Sequence, residues 1–134
     1  MSWALIGAAA AAGTIATFTD WLFMGVLFHA RYNRYPEVWR PGIREGKERG
    51  AILWSCLLDF FSAAVIVVLC ATAGASGIFQ ALTIAALAWA AGPLAMQITN
   101  GLFIKFDPLL TISHALGWLV RFLVAGLAAG LALS

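Results

Sequence analysis

Four long apolar stretches separated by short polar ones set the pattern of the chain. They cover residues 3–29, 50–73, 78–104 and 109–133. Each is long enough to cross a bilayer as a helix, which takes ~20 residues. The pattern predicts an all-α polytopic membrane protein, an antiparallel four-transmembrane-helix bundle, with residues 1–134 forming one domain. The first stretch carries no basic residues before it and is too long for a secretory signal, so it reads as a retained span.

The apolar stretches are interrupted on one face each. Thr17 and Asp20 share a face of the first span, near Gly13 and Met24. Ser55, Asp59 and Ser62 form a stripe on the second. The third carries Gln97 and Asn100 after Gly92-Pro93, where a kink is expected. The fourth carries Thr111, His114, Gly117 or Trp118, and Arg121. Ala8, Ala12 and Gly13 on the first span, and Gly126 with Gly130 on the fourth, are small enough for close helix approach.

Arg121 dominates this pattern, because a charge near the middle of a span costs at least ~2.5–3.5 kcal/mol on insertion scales. It needs a partner, and Asp20 and Asp59 are the candidates. Counted from the loop-side ends of their spans, Asp20 and Asp59 lie nine residues in, Asn100 five, Gln97 eight, His114 six and Arg121 thirteen. At ~1.5 Å per residue these groups share a layer roughly 8 to 20 Å deep. The expected ligand-binding residues are therefore Asp20, Asp59, Gln97, Asn100, His114 and Arg121. The same layer admits a second reading, in which the Arg–Asp pair only ties the bundle together.

Composition agrees with a membrane class: 63% of the residues are hydrophobic and 10% charged, against ~25% charged in soluble domains. The net charge of +2 matters less than its placement, because six of the eight Lys and Arg lie between Arg31 and Arg49. Residues 30–49 also hold Tyr32, Tyr35, Trp39 and three Glu, a mixture suited to lipid headgroups rather than nucleic acid. A short interfacial helix after Pro41 is conceivable there. The positive-inside rule puts this loop in the cytoplasm and both termini outside, as in a bacterial inner membrane.

Other chemistry finds less support. Cys56 and Cys70 sit ~21 Å apart along one helix and cannot bridge, so they read as core residues. His29 and His114 could ligate haem, but their depths differ. Asp20, Asp59 and His114 are of metal-binding type, yet Arg121 competes for the carboxylates. No nucleophile elbow, zinc-protease helix or P-loop motif is present. No cofactor can be named. Thr19-Asp20-Trp21-Leu22-Phe23 and Thr99-Asn100-Gly101-Leu102-Phe103 suggest a duplicated hairpin about an axis through the polar layer.

Leu27-Phe28 followed by Trp39, and Asn100, Phe103, Pro108 and Leu116-Gly117-Trp118 leading to Gly126, carry a family likeness. The chain resembles small four-helix bacterial membrane proteins grouped as a domain of unknown function. That resemblance implies the fold and no activity. The expected function is binding or transport of a small ligand or ion from the cytoplasmic side, in a homo-oligomer surrounded by membrane lipids. The alternatives are a structural or assembly subunit, contacting partners through the Gly126–Gly130 face and the basic loop, and a lipid-modifying enzyme.

Overall fold

The computed structural model describes residues 2–38, 42–43, 48–105 and 107–134, with Asn33 and Val38 described by backbone alone. Trp39, Arg40, Pro41, Glu45 and Phe106, and with them the interfacial helix expected after Pro41, lie outside the described residues. Four apolar helices run antiparallel: α1 Trp3–Leu27, α2 Glu48–Thr72, α3 Ile78–Phe103 and α4 Pro108–Ala132. The chain is thus an all-α protein of the integral membrane class, with span limits within two residues of the hydropathy pattern.

The helix ends follow local chemistry. Ser2 caps α1 by accepting from the Leu5 amide. Gly74, at φ 73°, ends the α2 turn, and the Ala75 amide reaches back to the Cys70 carbonyl at 3.0 Å. Asp107 caps α4 by accepting from the Leu109 amide at 2.9 Å, and Pro108 takes the first helical position, where no N–H is needed.

Two spans change pitch. The last part of α1, Trp21–Leu27, is wound as a π-helix, directly after Asp20. In α3 the π-helical turn Ala90–Leu94 contains Pro93. The wider turn absorbs the ring and the missing donor, so the kink expected at Gly92-Pro93 takes this form. Trp89, just before it, donates its indole N–H to the Ala115 carbonyl of α4 at 2.8 Å.

The four helices do not surround a common axis. α4 lies at the centre and packs against all three others, α1 and α2 pack on each other, and α3 docks chiefly on α4. Small residues make this possible. A Cβ placed on Gly126 would come within 2.8 Å of Ala85 Cβ and 2.9 Å of the Ala81 carbonyl. One on Gly130 would come within 2.5 Å of Ile78 Cα. The Gly126–Gly130 face, which the assembly alternative assigned to a partner, is packed against α3 of the same chain. Gly13 of α1 faces the ring of Phe60 on α2. The core between these helices is Ala9, Ala12, Ala63, Ile66, Val67, Cys70, Ala81, Ala85, Ala125 and Ala129, and Cys56 is only partly covered. Large apolar side chains such as Trp54, Phe61, Phe79 and Phe103 point outward, where lipid replaces water as the contacting medium.

This arrangement breaks the symmetry that a duplicated hairpin requires. α1 packs extensively on α4, whereas its supposed counterpart pair, α3 and α2, meets only weakly.

Candidate functional site

The site is built where α1, α2 and α4 converge. Arg121 of α4 reaches both acids. Its Nη2 stands 2.6 Å from Asp20 Oδ1 on α1 and its Nη1 2.5 Å from Asp59 Oδ1 on α2. Asp59 and Arg121 are 1% and 6% exposed, so water does not screen this pair. One helical turn earlier, the indole of Trp118 lies over the guanidinium at 3.9 Å. Trp118 is braced in turn by an edge-on contact with Phe122 at 5.7 Å.

The polar groups around this triad are only partly satisfied. Among the described residues, Asp59 Oδ2 and Arg121 Nε are buried without a hydrogen-bond partner. Asp20 Oδ1 is approached by the guanidinium as an ion pair without an aligned hydrogen bond. Ser62 donates its hydroxyl to the Asp59 carbonyl at 3.0 Å. The Thr17 hydroxyl stands beside the Asp59 carboxylate, yet its one proton is directed at the Gly13 carbonyl at 3.1 Å. Ser55 stands beside Asp20.

A cavity of about 500 Å³ opens onto these groups. Asp20 and Met24 line it from α1, and Ser55, Leu58, Asp59, Phe61, Ser62, Val65 and Ile66 from α2. His114, Trp118, Arg121 and Phe122 line it from α4. Its floor is charged and most of its wall is carbon.

The chain after α1 folds over the loop-side end of the cavity. The 3₁₀ turn His29–Asn33 brings the Tyr32 hydroxyl to 3.1 Å from His114 Nε2 and against the Met24 sulfur. Burial, and then the charge of Asp20, push the Tyr32 phenol up to about 12. The flanking cations fasten this turn: Arg34 Nη1 donates to Asp107 Oδ2 at 3.0 Å, and Arg31 lies 3.8 Å from the same oxygen. The Leu109 amide, with Arg34 and Arg31, holds the Asp107 carboxyl below its ordinary range. Lys105 pairs with Glu37 at 3.1 Å and sits over the Tyr35 ring.

Of the residues expected in the layer, Asp20, Asp59, His114 and Arg121 come together. Gln97 and Asn100 do not line the cavity; both are half-buried on α3. α3 runs past α4 at Gly101 and Thr111, where a Cβ on Gly101 would meet Thr111 Oγ1 at 3.5 Å. The polar stripe of α4 is therefore divided: Thr111 faces α3, Gly117 faces Phe23 and Met24, and His114, Trp118 and Arg121 face the cavity. Depth alone does not decide which neighbour a residue meets. His29 is exposed, so it is placed unlike the half-buried His114. Among the described residues, no group of three or more His, Cys, Asp or Glu is arranged to hold a metal ion.

Tyr32 was not expected in the site. A tyrosine between two arginines reads as a headgroup-layer residue, and only its position five residues after Leu27 hints that it can fold back.

The fold and this cluster define a polytopic all-α membrane protein with an ionic triad buried between three of its spans. No family model, no curated protein and no solved structure matches this chain.

Proposed function

We propose that the protein binds a small ligand or ion in the cavity between α1, α2 and α4, and that it does so as a small membrane transporter. The observation that carries this reading is that Asp59 and Arg121 line the cavity while Asp59 Oδ2 and Arg121 Nε are buried without a hydrogen-bond partner among the described residues. Intramembrane ionisable groups are costly, and those facing a cavity mark ligand or ion paths. In this reading the basic loop lies in the cytoplasm, the membrane is the bacterial inner membrane, and ligand reaches the floor past Tyr32 and His114. A homo-oligomer belongs to the same proposal, with a contact other than Gly126 and Gly130.

The test is Asp59→Asn and His114→Gln in detergent-solubilised protein that remains folded, followed by thermal-shift measurements with a broad panel of small cations and anions. A ligand that stabilises the native protein and loses its effect in either variant supports the proposal. Identical responses across the panel in all three proteins overturn it.

A second reading is favoured by one observation, the engagement of both acids by a single guanidinium. The triad then acts as a three-helix cross-link, and the protein as a structural or assembly subunit. In that case the same variants change stability and no ligand response.

A further inference from the structure

We propose that the cavity takes a monovalent organic cation with an apolar body, in exchange for a proton. This rests on the ligand-cavity reading above and names the class of ligand.

Charge balance is the first argument. Two carboxylates face one guanidinium. With His114 as neutral imidazole, one negative charge is left over in a region surrounded by hydrocarbon. Such a charge has to be neutralised, either by a proton or by a bound cation. Among the described residues, the ionisable groups facing the site are Asp20 from α1, Asp59 from α2, His114 and Arg121 from α4, and Tyr32 from the turn after α1. α3 lines no part of the cavity. When a cation binds, the proton leaves the acid pair for solvent, and the charge of the site is unchanged.

Donor chemistry is the second argument. Arg121 turns both Nη atoms toward the aspartates, so an anion seeking its remaining N–H donors would also meet two carboxylates. The acceptor Asp59 Oδ2, by contrast, is buried without an aligned donor among the described residues, beside the Asp20 carboxyl, so the acid pair can take up a positive charge in place of a proton.

The walls supply the third. A bare metal ion replaces its hydration shell with roughly six or more oxygens. Here the side-chain oxygens are two carboxylates, each with one atom against Arg121, and the hydroxyls of Ser55 and Ser62. The remaining lining is largely apolar, with the rings of Phe61, Trp118 and Phe122 positioned to contact a diffuse positive charge. Leu58, Phe61 and Val65 are also exposed on the outer surface, so the apolar wall continues to the lipid. A volume of about 500 Å³ suits a small organic molecule.

The experiment is isothermal titration of the full chain in detergent with tetraphenylphosphonium, at pH 6 and pH 8 and in two buffers of different ionisation enthalpy. The expected result is saturable binding that is at least tenfold weaker at pH 6. The heat should depend on the buffer, because a proton is released. Asp59→Asn, which leaves the Arg121–Asp20 pair neutral, should bind at least tenfold more weakly at pH 8. Val65→Trp, which fills the cavity from its apolar wall, should do the same with the triad intact, and replaces Asp59→Asn should that variant not fold. Binding of tetraphenylphosphonium that is unaffected by pH or by both variants overturns the proposal. Preferential binding of tetraphenylborate, abolished by Val65→Trp, overturns the cation class and leaves the ligand cavity standing. Failure of either probe or any panel ligand to bind overturns both.

Discussion

The indole of Trp118 covers the guanidinium of Arg121 at 3.9 Å from one turn earlier on α4. The cation therefore enters the bundle with one face already covered by its own helix, and only its edge has to be matched by α1 and α2. Such a contact contributes roughly 0.5–2 kcal/mol, towards the upper end when desolvated. Trp118→Leu should lower the thermal unfolding midpoint in detergent, and Trp118→Phe should lower it less. Equal midpoints for wild type and Trp118→Leu would show that the ring contributes no binding of the cation.

Removing Arg121 leaves two acids facing each other in a largely buried site. Arg121→Met should cost about 3–5 kcal/mol, the usual penalty for breaking a buried pair from one side. The triple variant Arg121→Met, Asp20→Asn, Asp59→Asn carries no net charge in the cluster and should recover much of that loss. Chemical unfolding in mixed micelles measures both. A triple variant less stable than Arg121→Met would refute the electrostatic account of this cluster.

The docking of α3 depends on two missing side chains. Gly130→Ala places a methyl 2.5 Å from Ile78 Cα, on backbone that cannot step aside. A loss of roughly 1–3 kcal/mol is expected from overpacking. Gly7→Ala is the control, because nothing lies within 4 Å of its Cβ, and it should be neutral or stabilising by up to ~1 kcal/mol through helix propensity. A cysteine pair placed across α3 and α4 would report the separation as loss of cross-linking in Gly130→Ala alone.

Tyr32 makes an alkaline prediction. Its phenol is pushed from 10.0 to about 12 in the folded protein, so the native state holds that proton more tightly than the unfolded chain does. The resulting stability is fully present below pH 10 and is lost as pH rises through about 12. Phenolate absorbance at 295 nm should show one tyrosine ionising late, and Tyr32→Phe should remove that step. A late step that persists in Tyr32→Phe would place it on another group.

The parts of this architecture that could be read from sequence are those set by cost. An arginine in the middle of an apolar stretch demands an acid, and the only acids inside other stretches are Asp20 and Asp59. Span number and limits follow from hydropathy for the same reason. What could not be read is azimuth, the direction in which each helix turns its stripe. Gln97 and Asn100 share the depth of the cluster, yet α3 sits on the far side of α4 because Gly126 and Gly130 draw it there. Those glycines were legible as a contact signal, but not the helix they would meet. Tyr32 escaped because a loop residue has no periodicity to betray its orientation. The π-helical winding of Trp21–Leu27 also left no mark, since no proline or glycine pair announces it as Pro93 announces the turn in α3.

The position of Arg121 on α4 has a consequence for biosynthesis. Ribosomes make α1 and α2 first, so both acids are delivered to the translocon before their counter-charge has been translated. A nascent chain stalled ahead of α4 would display two uncompensated carboxylates within its hairpin, whereas the finished chain hides them. The counter-charge for both acids thus arrives only with the last helix of the bundle.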